Sequence, residues 1–398
     1  MIRITTANAF NSSIENLQQR QRSLDTAQTQ LTSGKRVLNA SDDPTSAARA
    51  ERARALIQRA DASQRAIDAS RNSMKLTESA LGDGVSLVQQ ARELVVAAGN
   101  ASYSDAERRD VANQLAEIRK QLMGVANRGD GTGGFVFSGQ GSSQPPFLDR
   151  PGGVGYVGVG GAVKVATDEP LPLTLDGEQV WLSAPSGNGV FTTAPGAGSG
   201  GAWIDAGRVT NPSAITGSSY EVQFSVNAGV TTYSVIRDGV TASISGADFK
   251  SGQAIELDGM AFTLSGSPKD GDTFSITPSG PNQSVFDALD KVVNELKTPL
   301  RTSAQVTQTI QSGLRDLDTC ANQLQSARSM TGEVLNRVDG VETRVGDLKL
   351  FGETTRSDAE DLDMIQAISN FQNQQTGYQA AMQSYAAVQR LSLFDYIK

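Results

Sequence analysis

Five apolar residues near the start of the chain, Phe10, Leu17, Leu24, Leu31 and Leu38, stand at strict seven-residue intervals. An α-helix turns once every 3.6 residues, so a seven-residue repeat keeps returning to one face and marks a coiled-coil seam. The companion positions are Ile14, Gln21, Gln28 and Lys35, so that half of the seam is mostly polar. A terminal helix with half an apolar seam folds poorly alone. It is expected to be disordered in isolation and to order against partners.

Similar stripes follow along the chain. Ala60, Ile67, Met74, Leu81, Val88 and Val95 form one, and Val111, Leu115, Ile118, Leu122 and Val125 another. Later come Ile310, Leu314, Leu317 and Leu324, then Val338, Val341, Val345 and Leu348. These predict the core faces of bundled helices. The last helix carries Ile365, Ile368, Phe371, Tyr378, Met382 and Tyr385, then Leu391 and Phe394.

Between the helical ends the composition changes. Eleven of the 13 prolines and both tryptophans, Trp181 and Trp203, lie between Pro145 and Pro281. Alternating runs such as YEVQFSV and TTYSVI predict strands. LTLDGEQVWLS and IELDGMAFTLSG each set Asp-Gly between apolar runs, which predicts two hairpins. The expected architecture is α+β and multidomain, with long terminal coiled-coil and bundle helices around an inserted all-β domain. Its parts are residues 1–44 with 355–398, 45–145 with 282–354, and the insert 146–281.

Charge divides along the same lines. From Pro145 to Pro281 there are 6 Lys and Arg against 13 Asp and Glu, so the insert is acidic and solvated. Residues 1–60 carry 9 basic and 5 acidic residues, and 340–398 carry 5 and 8. A positive first segment and a negative last one are biased to lie side by side.

Several function classes drop out. The chain of 398 residues has no histidine, which removes Ser-His-Asp and Cys-His triads and imidazole metal ligands. Cys320 is the single cysteine and is expected to be a small packing residue. The net charge of −8 argues against a nucleic-acid partner. The first residues show no signal peptide, and no apolar run reaches the roughly 20 residues of a membrane span. No catalytic residue, cofactor or metal ligand is expected.

The stretch LTSGKRVLNASDDPTSAARA offers a Gly-Lys pair and an Asp-Asp pair. Thr29 and Arg36 stand where a phosphate loop needs Gly and Ser or Thr, so nucleotide binding is rejected. A structural joint accounts for more residues. Gly34 can end the first helix, and Asp43 can cap the next, with Pro44 at its first position and Asp42 beside it. Arg128-Gly129-Asp130 is read as a chance tripeptide. GDGTGGFVFSG is too poor in ligands for a calcium loop and predicts a turn into a strand at Phe135–Phe137.

Taken together, LTSGKRVLNASDDP, NRGDGTGGFVFSG and the terminal LSLFDYIK resemble the flagellin superfamily, and within it the proteins of the bacterial hook–filament junction. The strand-rich MAFTLSGSPKDGDTFSITPSGP is also similar to hook-associated proteins. The resemblance covers about 1–148 and 280–398 and is looser across 149–260. Flagellins themselves differ: they carry Asp-Asp-Ala-Ala where this chain has Asp42-Asp43-Pro44, and they end in a short Leu-Leu-Arg rather than Phe394-Asp395-Tyr396-Ile397-Lys398. Ile397 departs from a common Leu.

The resemblance implies a structural, non-enzymatic role in a ring of identical subunits between hook-associated protein 1 and flagellin. It implies extracellular placement after flagellar type III export, with an export chaperone on the C-terminal helix. The implied assembly interface is Phe10, Ile14, Leu17, Leu24, Leu31 and Leu38 with Ile365, Ile368, Phe371, Tyr378, Met382, Tyr385, Leu391 and Phe394. The implied joint is Gly34, Asp42, Asp43 and Pro44. Two rival readings remain at this stage, a flagellin-like filament subunit and a secreted adhesin with the β domain as its head.

Overall fold

In the computed structural model, residues 6–142, 144–165, 169–196, 198, 200–241 and 244–396 are described. The long helices are α1 (Thr6–Ser33), α2 (Pro44–Ala98), α3 (Asp105–Ala126), α5 (Val285–Lys297), α6 (Ser303–Glu360) and α7 (Met364–Tyr396), with a single-turn α4 at Gly177–Trp181. The strands lie between α3 and α5, so the fold is α+β, with a β-rich region between helical ends. The chain divides into two compact units, Ala66–Val341 and the segments before and after it.

Within Ala66–Val341 the stripes of α2, α3, α5 and α6 make one core. Leu81, Leu115 and Leu122 are fully buried there, as are Phe286, Leu289 and Leu317. The capping box of α3 is complete, with Ser104 and Glu107 exchanging side-chain bonds to each other's backbone. Cys320 is buried in this core, and burial pushes its thiol up to about 12, which leaves it unreactive.

The β region contributes to two cores rather than one. Phe137, Phe147, Val180 and Trp181 join the helical cluster. Trp181 stands edge-on to Phe137 at 5.4 Å and stacks near Phe286 at 6.3 Å. Arg119 of α3 fixes the hairpin Phe147–Arg150/Gly153–Tyr156 through two 2.8 Å bonds to Asp149, and it pairs with Asp290 of α5. Phe147, Val180, Trp181 and Ala184 are therefore buried in the helical core. Large aromatics on short strands need a neighbour to cover them, and α3 and α5 supply it.

The second core lies between two antiparallel sheets. One centres on Tyr220–Asn227, flanked by Val230–Arg237 and Thr273–Pro278; the other centres on Met260–Gly266. Phe224, Phe274, Phe262, Leu264 and Val222 face inward. Helix α6 holds this part by polar bonds. Arg315 donates to the Thr193 carbonyl and hydroxyl at 3.1 Å, and Gln308 accepts the Ile204 N–H at 2.8 Å.

Two expectations fail locally. IELDGMAFTLSG is a hairpin, its turn made by Asp258 (φ 43°) and Gly259 (φ 79°). LTLDGEQVWLS is not: Asp176 accepts the N–H groups of Glu178 and Gln179 and caps α4. Asp is as good an N-cap as a turn residue, and the following Glu and Gln favour the helix. Phe135–Phe137 forms no strand either, only an isolated bridge from Phe135 to Gly129. Here the Asp130 carboxylate closes the loop on the N–H groups of Thr132 and Gly134.

Two glycines in long helices should respond oppositely to alanine. A Cβ on Gly84 would sit 2.8 Å from the Trp181 ring, whereas one on Gly332 meets nothing within 4 Å. Gly84→Ala is expected to destabilise by about 1–3 kcal/mol. Gly332→Ala is expected to stabilise by about 0.5–1 kcal/mol, the helix-propensity difference between the two residues. Urea unfolding followed by tryptophan fluorescence checks both; equal shifts would contradict this packing.

Candidate assembly interface

The terminal unit is built on a reversal of two links. Helix α1 stops at Ser33 because Gly34 turns left-handed at φ 69°. The link that follows runs antiparallel to the link between α6 and α7. Leu362 N–H donates to the Gly34 carbonyl at 2.9 Å and Arg36 N–H to the Glu360 carbonyl at 2.7 Å, with Lys35 opposite Asp361. Each link thereby satisfies backbone groups that the helix ends leave without partners.

Side chains lock this arrangement. The Glu360 carboxylate is buried and pairs with Arg54 of α2, with Lys35 at 3.5 Å and with Arg356 at 3.6 Å. Arg36 donates to the Ala359 carbonyl at 2.9 Å, to Ser46 at 3.1 Å and to Asp43 at 3.2 Å. Asp42 accepts the N–H groups of Leu38 and Asn39 and closes the link. Asp43 accepts the N–H groups of Thr45 and Ser46 and caps α2, which begins at Pro44. The four proposed joint residues thus lie together.

Leaving this joint, α1 and α7 run side by side and antiparallel, with Arg20 against Gly377. Ile14, Leu17, Leu24 and Leu31 are half-buried on α1, and Phe371, Tyr378 and Tyr385 on α7. The register differs from the expected one in several places. Gln21 and Gln28 face solvent, and Ala27 is half-buried between Leu24 and Leu31. On α7 the covered positions are Ala367, Phe371, Gln374, Tyr378, Ala381 and Tyr385, a regular alternation of three and four.

Ile365 is 86% exposed, and Ile368 and Met382 are exposed beside that stripe. They face outward and are not part of the half-buried stripe that α7 turns to α1. Leu38 keeps the seven-residue interval yet lies in the link beyond Gly34, exposed. Leu348 is exposed as well, off the face that α6 turns to α2. The side chains of Phe10, Leu391 and Phe394 lie outside the described residues.

Helices α1 and α7 lie against each other, each offering the other a partial seam. The cover is incomplete. No charged residue occurs between Met364 and Gln389, and much of that uncharged surface is open. Gln374 Oε1 is buried without a hydrogen-bond partner among the described residues.

Sequence reasoning missed Asp363, Glu360 and Arg54. Asp363 caps α7 by accepting the N–H groups of Ile365 and Gln366, and Asp-Met-Ile-Gln is a capping pattern that could have revealed it. Glu360 and Arg54 carry no local signal; 306 residues separate them. Among the described residues no cluster of acidic or thiol side chains could hold a metal ion, and no helix is long and apolar enough to cross a membrane.

Comparison with known proteins agrees with this layout. Residues 4–142 match the bacterial flagellin N-terminal helical region, and residues 314–397 match the bacterial flagellin C-terminal helical region. The chain belongs to the flagellin family. It is similar to flagellar hook-associated protein 3 of Escherichia coli (strain K12), 25% identical over 93% of this chain and 91% of that protein. The crystal structure of the flagellar junction protein FlgL from Legionella pneumophila is 27% identical, with a TM-score of 0.70, covering 79% of this chain and all of that one. Xanthomonas campestris FlgL, in one crystal form, gives 28% and a TM-score of 0.66, over 76% of this chain and 98% of that one.

The cap at Asp43 makes the joint's acid response testable. The Ser46 hydroxyl and N–H, with Arg36 and Thr45, hold the Asp43 carboxyl down to about 2 from an ordinary 3.8. A folded value below the unfolded one means that the cap stabilises fully above 3.8 and is lost as pH falls through about 2. Amide exchange at Ser46 should therefore stay protected at pH 3 and rise below it. Asp43→Asn should abolish this pH dependence; an unchanged profile in that variant would assign the acid response elsewhere.

Proposed function

We propose that this chain is a structural junction component of the bacterial flagellum. It forms a ring of subunits between hook-associated protein 1 and the first flagellin subunits, and no catalytic step is involved. The observation that carries this reading is the half-covered α1–α7 pair, in a chain whose similarity to hook-associated protein 3 runs over nearly its full length. Half-buried apolar seams and an uncharged helix surface are what a subunit presents when neighbouring subunits complete its burial.

In this reading the interface comprises Ile14, Leu17, Leu24 and Leu31 with Phe371, Tyr378 and Tyr385. The outward Ile365, Ile368 and Met382 face neighbours, and Phe10, Leu38, Leu391 and Phe394 extend the surface. Gly34, Asp42, Asp43 and Pro44 set the bend from which the terminal pair departs. The chain reaches the cell exterior by flagellar type III export, and an export chaperone covers the apolar face of α7 before secretion. The divisions at 44/45, 145/146, 281/282 and 354/355 describe parts with distinct roles in that assembly.

Deletion of the gene should leave hooks without filaments and unassembled flagellin in the medium, as seen by electron microscopy and immunoblotting. Normal filaments in the deletion strain would refute the junction role and favour the β region as an adhesive head. Leu17→Asp, Leu24→Asp and Leu31→Asp together should abolish filament attachment while the core within Ala66–Val341 still unfolds cooperatively in urea. Normal attachment by that triple variant would remove α1 from the interface.

A further inference from the structure

The terminal unit carries two exposed stripes of opposite charge that do not meet within one chain. On α2, Arg49, Arg52, Leu56 and Arg59 stand three, four and three residues apart, on one side of the helix. The three arginines are exposed and Leu56 is half-buried between them. On α6, Asp347, Phe351, Thr354 and Asp358 stand four, three and four residues apart, again on one side. All four are exposed, Phe351 at 65%, with Leu350 beside it at 63%.

Among the described residues none of these five charges has an ion-pair partner. Their neighbours are engaged elsewhere: Arg54 with Glu51 and Glu360, Arg356 with Glu360, and Lys349 with Asp61 at 2.8 Å. The Phe351 stripe is turned away from the face on which α2 and α6 touch, where Gly352 meets Ala53, Ile57 and the end of the Leu56 side chain; the three arginines stand exposed beside that face. The end charges of the two stripes are ten and eleven residues apart, about 15 and 16 Å along a helix. The stripes match in length, oppose in sign and are each apolar at the centre.

Resting on the junction reading above, we propose that the Phe351 stripe of one copy docks on the Leu56 stripe of the next copy of this chain. A second copy is the occupant because it brings the complementary stripe at the matching spacing. The contact is heterologous: each copy uses its acidic stripe on one neighbour and its basic stripe on the other. Such a contact propagates from copy to copy until it closes a ring. Burial of Phe351 and Leu350 supplies the attraction, and the five charges set partner and register, since exposed ion pairs are individually weak.

The test is reciprocal charge reversal in the full chain, expressed in the deletion strain. Arg49→Glu, Arg52→Glu and Arg59→Glu together should lose filament attachment, and so should Asp347→Arg with Asp358→Arg. Combining all five should restore attachment. Normal attachment by either partial variant overturns the proposal, as does failure of the combination while circular dichroism shows unchanged helicity. That last outcome assigns the stripes to a different flagellar chain.

A second measurement does not depend on reversed charges. Arg52→Cys with Thr354→Cys, both at exposed positions, should give chain-to-chain products with a bis-maleimide in assembled junctions, Cys320 being buried. Absence of those products overturns the contact. If deletion abolishes filaments but reversed chains restore them, this contact fails and the junction reading stands. If deletion leaves filaments intact, the junction reading itself fails.

Discussion

Two short links, running antiparallel, govern the terminal unit. At Gly34–Val37 and Glu360–Leu362 the chain changes direction twice, once on its way into α2 and once on its way out of α6. Four helix ends converge there, and each end has backbone groups that its own helix cannot satisfy. Pairing link with link satisfies part of that demand, the Asp43 and Asp363 carboxylates cap the two starting helices, and Arg36 takes up the Ala359 carbonyl. The buried Glu360 carboxylate, held among Arg54, Lys35 and Arg356, is tolerable only because it is surrounded by cations.

The antiparallel course of α1 and α7 follows from that reversal. One helix ends at the joint and the other begins there, so their seams lie along each other from Leu31 and Ala367 outward. A pair of helices has only two facing stripes to cover, and the remaining surfaces stay open. The uncharged remainder of α7, and outward residues such as Ile365, suit a subunit whose burial is completed by neighbours. The β region is held in a different manner. Its sandwich core is self-contained, and its ties to α6 are the polar bonds of Arg315 and Gln308 rather than a shared apolar layer.

Much of this was legible residue by residue. Regular stripes such as Ile67, Met74 and Leu81 are visible because a helix repeats its face, and the structure buries them. The Asp258-Gly259 hairpin was legible because strands of matching alternation flank it. The same dipeptide at Asp176-Gly177 misled, since Asp can cap a helix as well as open a turn, and the Glu178 and Gln179 that follow favour the cap. The seven-residue interval at Leu38 misled for a related reason: spacing does not register that Gly34 has already ended the helix.

By itself the sequence determined the helical ends, the β-rich middle and the position of the bend, because periodicity, proline placement and capping residues act over a few neighbours. The tertiary structure alone decided which face of α7 meets α1, that Phe147 and Trp181 serve the helical core, and that Glu360 closes on Arg54. Those choices depend on which surfaces meet across hundreds of residues. A local pattern states that a residue is apolar or charged, but its partner is set only when distant segments are packed together.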